Sequence, residues 1–296
     1  MLARMAKPST AHSKDSSKIQ AQHAGGELFI VATPIGNLGD ITLRALETLK
    51  SVHVIACEDT RTTRTLTNHY GIATKLVACH EHNEAAASAS LVAQMQSGQR
   101  VALVSDAGTP LLSDPGGRLV AAAIEAGIRV TPLPGASALL SALTIAGLPA
   151  LPFHFAGFLP PKTSARREAL AALKPIKATL ALYESPNRLT DCLRDAVAIL
   201  GDRTAAVARE LTKLHEECQR GKLSMLADYY KTNKPRGECV IVIDGAGDAP
   251  PPSADDVDAL LRKLLATHSV KETAAIAAAE TGQSKSDLYA RALALK

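Results

Sequence analysis

One stretch sets the pattern for the rest of the chain: RVALVSDAGTP at positions 100–110. An apolar run of β-forming residues ends at an acidic residue followed by small residues, which predicts a strand that leads into a loop. In an open α/β sheet, ligands bind outside the carboxyl ends of the strands. Asp106 is therefore predicted to face a ligand hydroxyl or ammonium group. The same residues are also typical of a simple tight turn before a helix, because Asp, Gly and Pro all favour turns.

Strands followed by polar loops and helices recur on both sides of this stretch. The sequence predicts further strands at 28–32, 52–57, 75–79 and 128–133, with helices between them. Such alternation indicates a mostly parallel sheet with helices on its faces. After a proline-containing linker at 147–152, strands are predicted at 153–158, 178–183, 204–208 and 238–243, again with helices. We therefore expect two α/β domains, at 27–147 and 148–246.

The two ends of the chain have a different character. Residues 1–26 are polar and lack apolar periodicity, which predicts a disordered leader. Residues 254–296 follow three prolines and are predicted to form helices. The last two of these helices are joined by a glycine turn, as in a helix-turn-helix motif. A helical hairpin packed against a partner subunit would have the same pattern. No stretch is long and apolar enough for a membrane span or a signal peptide, so we expect a cytoplasmic protein.

Composition limits the classes of partner. The chain has 296 residues and a net charge of +4, of which residues 1–26 contribute three. The nearly neutral remainder neither requires nor excludes nucleic acid. Aromatic residues make up only 3% and tryptophan is absent, which argues against a platform of stacked rings for single-stranded nucleic acid. The five cysteines are widely spaced, without a CxxC pair, which argues against a disulfide framework and a structural zinc site.

Four polar residues, EDTR at 58–61, follow the second predicted strand. One interpretation is a substrate-facing acid pair, Glu58 and Asp59, with Arg61 as a phosphate ligand. The alternative is that Asp59 or Thr60 caps the next helix, where acidic residues favour the positive end of the helix dipole.

A basic loop at 161–167 is the strongest local candidate for a phosphate contact, through Arg166 and Arg167. A solvated helix start would explain the same charges. His80 and His82 lack a third ligand of suitable spacing, so no metal site is predicted.

Eight motifs, taken together and in order, resemble the tetrapyrrole-methylase superfamily, and within it the branch that methylates ribosomal RNA. They are VATPIGNL at 31–38, EDTR at 58–61, HNE at 82–84, SDAGTP at 105–110, PGAS at 134–137, GFLP at 157–160, YES at 183–185 and ARELTK at 208–213. The first loop, PIGNLGD at 34–40, departs from the Gly-x-Gly-Pro-Gly-Asp pattern of the porphyrin-ring methylases. This departure favours the RNA branch.

The resemblance implies an S-adenosylmethionine-dependent 2′-O-ribose methyltransferase that acts on a cytidine in the decoding region of 16S rRNA, within the small ribosomal subunit. It also implies a homodimer and a cofactor cleft between two α/β domains, with a C-terminal helical segment beyond them. Carried over by position, the implied cofactor contacts are Leu38, Asp106, Thr109, Ser137, Ala138, Tyr183, Ala208 and Gly237. The candidate substrate-binding residues are Asn37, Arg61, Arg166, Arg167 and Lys213.

Methyl transfer from a sulfonium requires an oxygen lone pair aligned behind the methyl group, so positioning should dominate catalysis. A ribose hydroxyl is only weakly acidic, which leaves room for a general base, with Glu58 and Asp59 as candidates. Two other functions remain open at this point. One is methylation of a tetrapyrrole, and the other is a ligand-sensing regulator that binds DNA through its last helices. The acids Glu272, Glu280 and Asp287 in those helices weaken the case for DNA.

Overall fold

A computed structural model describes residues 25–247 and 253–296 of the chain. These residues form two compact units, divided between Asp244 and Gly245. Apart from Gly25 and Gly26, the predicted leader at 1–26 lies outside the described residues, as do the three prolines at 250–252.

The first sheet contains five strands, all parallel, in the order β3-β2-β4-β1-β5. The strands are β1 (Glu27–Val31), β2 (Val54–Cys57), β3 (Lys75–Ala78), β4 (Arg100–Val104) and β5 (Arg129–Leu133). The accompanying helices are α1 (Leu43–Ser51), α2 (Thr60–His69), α3 (Glu84–Gln96), α4 (Gly117–Glu125) and α5 (Ala138–Ile145).

Strand β4 lies at the centre of this sheet and is buried on both faces. Leu103 packs with Met95 in the hydrophobic cluster on one side, whereas Val104 packs with Ile55 in the cluster on the other. A strand covered on both faces reads as a continuous apolar run, which is the pattern that the sequence shows. In the ladder, Val104 is level with both Val31 and Cys57. The loops after β1, β2 and β4 therefore open at the same edge of the sheet.

The second sheet is mixed, with the order β6-β7-β10-β8-β9. Its strands are β6 (Phe153–Phe158), β7 (Thr179–Glu184), β8 (Thr204–Arg209), β9 (Glu217–Lys222) and β10 (Cys239–Ile243). Only β6 and β7 are parallel; the pairs made by β10 and β9 are antiparallel. The helices that accompany the second sheet are α6 (Thr163–Leu173), α7 (Leu189–Leu200) and α8 (Leu223–Thr232).

Edge strand β9 was not predicted from the sequence. Its residues, ECQRGK, have no apolar alternation, and the strand is defined by its backbone pairing with β8 from Thr204–Lys222 to Arg209–Glu217. Polar and charged side chains are common on edge strands, where they discourage pairing with another chain.

The second unit contains three helices, α9 (Ala254–Leu265), α10 (Val270–Thr281) and α11 (Lys285–Ala294). Its own small core contains Val257, Leu261, Ala277 and Leu288. Capping boxes with the sequence Ser-x-x-acid begin α9 and α10, which explains the sharp helix starts. Within the two described ranges, no helix has both the length and the apolar character needed to span a bilayer.

Candidate active site

A cavity of about 280 Å³ lies within the first unit, where loops at the ends of the first sheet meet loops of the second. From the first sheet come Ile35, Glu58, residues 106–109, residues 112–114, Ser137 and Ala138. From the second come Phe158, Tyr183, residues 210–211, Lys213 and residues 238–240. The strand-end loops of both sheets therefore converge on one site, as expected for ligand binding in α/β folds.

The loop after β4 is tied to the loop after β1. Thr33 and Gly108 form an isolated antiparallel bridge, with N···O distances of 2.8 and 3.0 Å. The Thr33 hydroxyl also donates to the Ser105 carbonyl oxygen at 3.1 Å. Gly108 has a φ of +79°, a conformation that side chains disfavour, and its carbonyl oxygen accepts from the Ser105 hydroxyl at 3.3 Å. These bonds hold Asp106 at the cavity.

Backbone strain concentrates in two loops of the cavity lining. Among the described residues, positive φ outside glycine occurs at Leu111 (+75°), Ser113 (+73°), Glu210 (+50°) and Thr212 (+66°). Each such residue costs about 1–3 kcal/mol, and strain of this kind clusters at functional sites because the surrounding structure holds it in place. All four positions lie within or directly beside lining residues.

The cavity has an acidic wall made by Glu58, Asp106, Asp114 and Glu238. Burial raises the pKa of Asp114 to about 6, and the nearby Glu58 carboxylate adds to the shift. Burial also raises the pKa of Glu58, with a further contribution from Asp106. Both shifts have the same physical cause, since a charged carboxylate is disfavoured in a poorly solvated, acidic environment.

The two members of the predicted acid pair, Glu58 and Asp59, have different positions in the structure. Glu58 lines the cavity, whereas Asp59 is the N-cap of α2, where Oδ1 accepts from the Arg61 N–H at 2.8 Å. The Arg61 guanidinium binds the same carboxylate, with an N···O distance of 2.6 Å, and this pair lowers the pKa of Asp59 to about 2. A carboxylate with that pKa is a poor proton acceptor at neutral pH. The geometry therefore argues against Asp59 as a general base.

Five of the eight implied cofactor residues line the cavity. They are Asp106, Thr109, Ser137, Ala138 and Tyr183. The Ser137 side chain caps α5, and the Thr109 hydroxyl donates to the Ala136 carbonyl oxygen at 3.2 Å. Their assignment as cofactor contacts remains a prediction.

The other three implied cofactor residues lie outside the lining. Leu38 lines a neighbouring cavity, and its carbonyl oxygen accepts from the Tyr70 hydroxyl at 2.6 Å. Ala208 is buried within β8, although its ladder partner Val240 does line the site. Gly237 packs against the Glu210 side chain.

The candidate substrate-binding residues are not brought together. Lys213 lines the cavity, with Nζ 2.8 Å from Glu210 Oε1. The Asn37 side chain instead accepts from the Gly39 N–H and so caps a short 3₁₀ turn. Arg61 is exposed beside Asp59.

Arg166 does not meet the expectation of a phosphate ligand. Its side chain is only 5% exposed and binds Asp195, with an N···O distance of 2.6 Å. The more exposed Arg167 binds the other oxygen of the same carboxylate at 2.7 Å. Asp195 comes from α7, so the two arginines join α6 to α7. A buried guanidinium already bound to a carboxylate cannot reach an RNA phosphate, which corrects the sequence-based prediction for Arg166.

Among the lining residues missing from the sequence-based set are Asp114, Phe158 and Glu238. Asp114 follows the motif loop in the same connection, and a second acid so close to the first was a usable signal. The placement of Phe158 and Glu238 depends on how the second sheet meets the first, which no local pattern reports.

These residues suit a small cationic ligand with an aromatic part. The carboxylates outnumber the basic residues of the lining, where Lys213 is already paired with Glu210. Phe158 and Tyr183, with ring centroids 5.5 Å apart, supply an apolar face. S-adenosylmethionine carries a sulfonium and an ammonium group together with an adenine ring, so its chemistry matches this lining.

Comparison with known proteins agrees with this geometry. The family model of the tetrapyrrole (corrin/porphyrin) methylases matches residues 27–227, and the model of the RsmI C-terminal HTH domain matches residues 251–296. A uroporphyrin-III C-methyltransferase from Thermus thermophilus, solved with S-adenosylhomocysteine, has the same fold, with a TM-score of 0.54 and 18% identity over 74% of this chain and 97% of its own. The fold class is thus confirmed: two α/β domains of tetrapyrrole-methylase type with a C-terminal helical segment. The chain is a methyltransferase of this superfamily.

Closer relatives narrow the assignment. The ribosomal RNA small subunit methyltransferase I of Mesorhizobium japonicum is 51% identical, over 95% of this chain and 96% of the relative. The protein of the same name from Escherichia coli O157:H7 is 47% identical, over 92% of this chain and 96% of the relative. The chain therefore belongs to the ribosomal RNA small subunit methyltransferase I family, and its methyl donor is S-adenosylmethionine.

Proposed function

We propose that this protein methylates the ribose 2′-oxygen of a cytidine in the decoding region of 16S rRNA. One observation carries the proposal: relatives named for ribosomal RNA methylation align along nearly the whole chain, including the last helices. The cavity supports it, because its acidic wall and aromatic face suit a cationic methyl donor.

The chain's own residues would act mainly by positioning. S-adenosylmethionine supplies the methyl group when bound, and we propose that Asp106, Thr109, Ser137, Ala138 and Tyr183 hold it. The ribose hydroxyl must lose its proton, and Glu58 is the member of the predicted acid pair that faces the cavity. A fixed loop such as the one tied by Thr33 and Gly108 limits the motion of the bound groups, which favours transfer.

RNA phosphates would be held outside the acidic cavity. The exposed Arg61 and the half-exposed Lys213 are the candidates in the first unit. The C-terminal unit carries exposed basic residues at Arg262, Lys263, Lys271 and Lys285. Such residues strengthen binding to the RNA backbone without selecting a sequence. We assign residues 254–296 to contact with RNA or the ribosome.

We further propose that the protein acts as a cytoplasmic homodimer on the small ribosomal subunit. The two α/β domains, at 27–147 and 148–246, would each supply one wall of the cofactor cleft. This division accords with the cavity lining, which draws on both sheets.

The proposal is tested by mass mapping of ribose methylation in 16S rRNA from cells with and without the gene. We expect one decoding-region cytidine to lose its 2′-O-methyl group without the gene and to regain it on complementation. Complementation with an Asp106→Ala variant serves as the control for catalysis. An unchanged methylation map would refute the proposal, and labelled donor can then be offered to a porphyrinogen to examine the tetrapyrrole alternative.

A further inference from the structure

Asp114 is a carboxylate of the cavity lining that lies outside the sequence motifs and has no role in the proposed function. It is half-buried in the lining, and the ion pairs of the described residues do not include it. The charged groups with the largest effect on its pKa are the carboxylates of Glu58, Asp106 and Glu238. A half-buried carboxylate without a basic partner favours a ligand that brings a positive charge.

The backbone around Asp114 is held in an unusual shape. Leu111 and Ser113 before it have positive φ, and Gly116 after it has a φ of +119°. The buried Glu84 at the start of α3 anchors this loop, since Oε1 accepts from the N–H groups of Gly116 at 3.0 Å and Arg118 at 2.8 Å. A strained loop fixed by a buried carboxylate directs Asp114 into the cavity.

The titratable groups facing Asp114 come from four different parts of the fold. They are Glu58 after β2, Asp106 after β4, Tyr183 on β7 and Glu238 before β10. The nearby Ser105 side chain opposes, in part, the upward shift of the Asp114 pKa to about 6. The charged groups that raise this pKa are all carboxylates, and a bound cation would lower it.

We propose that Asp114 is ionised against the sulfonium charge of the methyl donor and that Asp114, in place of Glu58, takes up the proton that the ribose hydroxyl loses during transfer. The inference rests on the proposed ribose methylation. As the ribose oxygen forms its bond to the methyl carbon, the carbon–sulfur bond breaks and its electron pair stays on sulfur. The O–H bond breaks and its proton moves to an Asp114 carboxylate oxygen. One positive and one negative charge disappear together, so the net charge of the cavity does not change.

The coupling between Asp114 and the donor's charge is measured without RNA. Calorimetry of S-adenosylmethionine binding at pH 6, in buffers of different ionisation enthalpy, reports the protons released. Because Asp114 is about half protonated near its pKa, we expect release of about half a proton per site. S-adenosylhomocysteine keeps the ammonium group but lacks the sulfonium, so it should release markedly fewer protons. Asp114→Asn should abolish the difference between the two ligands, whereas Glu238→Gln in the same wall should retain most of it.

Two results would overturn the coupling to the sulfonium: equal proton release for both ligands with the wild-type protein, or an unchanged difference in Asp114→Asn. The first comparison needs no variant, so misfolding cannot obscure it. Because RNA is absent, failure here is distinct from failure of ribose methylation, which the 16S rRNA map detects.

The proton-acceptor role is measured in single-turnover methylation of small subunits with saturating donor. Asp114→Asn should slow the step by about a hundredfold or more and remove the loss of rate at low pH. Glu238→Gln should keep that pH dependence. An Asp114→Asn variant with wild-type rate and pH profile would exclude Asp114 as the acceptor.

Discussion

Asp106 Oδ1 accepts a hydrogen bond from the backbone N–H of Asp59 at 3.1 Å, which joins the loop after β4 to the end of β2. The two strands lie side by side, with Cys57 level with Val104. One carboxylate therefore ties two cavity loops together and still contributes to the cavity wall. Loss of the Asp106 carboxylate should therefore change the geometry of both loops and also weaken the attraction for a positively charged ligand.

Asp106→Ala should weaken S-adenosylmethionine binding by at least about tenfold, the scale of one charged hydrogen bond. Calorimetry measures the dissociation constant. Asp106→Asn can still accept from Asp59 and should fall between the wild type and the alanine variant, while Asp40→Ala, exposed and outside the cavity, should match the wild type. An unchanged constant in a folded Asp106→Ala protein would mean that residues 105–110 form only a turn.

Arg166→Ala should destabilise the protein by about 3–5 kcal/mol, because it leaves the buried Asp195 carboxylate without its buried partner. Arg167→Ala is the matched control on the other oxygen of Asp195. Since Arg167 is half-exposed, its loss should cost about 1 kcal/mol or less. Urea unfolding provides both values. Equal, small losses would indicate that α6 and α7 do not depend on this pair.

Asp114→Asn should raise the free energy of unfolding by clearly more at pH 8 than at pH 5. The folded protein raises the pKa of Asp114 to about 6, above the usual value for Asp, so it holds this proton more tightly than the unfolded chain does. Stability is therefore lost as pH rises from about 4, the usual pKa of Asp, to about 6, and removing the charge relieves that loss. Denaturant midpoints at the two pH values test the sign. A gain at pH 5 alone would contradict it.

Replacing Lys263, Lys271 and Lys285 with alanine should lower activity on the ribosomal substrate while leaving donor affinity unchanged. All three are exposed. The salt dependence of RNA binding should become shallower by about one per lysine that contacts phosphate. Arg291→Ala is a poor probe of the same surface, because Arg291 binds Asp258 at 2.6 Å.

Deleting residues 254–296 should lower activity on the ribosomal substrate more than the lysine replacements do, and should likewise leave donor affinity unchanged. Loss of cofactor binding in the truncated protein would show that our domain division is wrong. Full-rate methylation by a soluble truncated protein would show that these helices have a structural role only.

The protein should form a homodimer, with a solution mass twice that of the 31.0 kDa chain. Light scattering at micromolar concentration measures this mass directly. A single monomeric species would refute the proposed assembly.

The amino-acid pattern was sufficient for the elements whose side chains face a core. Strand β4 and its neighbours are apolar because both of their faces are covered, and the helices begin at polar caps such as Asp59 and Ser137. It also located the loop of Asp106, since an acid directly after a buried strand marks the ligand edge of a parallel sheet.

The features that the sequence pattern did not predict depend on contacts between residues that are distant in sequence. Strand β9 exists through backbone hydrogen bonds to β8, which leave no mark on side-chain periodicity. Arg166 and Arg167 are similar in sequence, but the position of Asp195, 29 residues away from Arg166, decides which of them is buried. Asp114 acquires its raised pKa from burial and from the nearby Glu58 carboxylate, which follows a different strand. Burial and electrostatic environment are properties of the assembled cavity, so only the tertiary structure decided them.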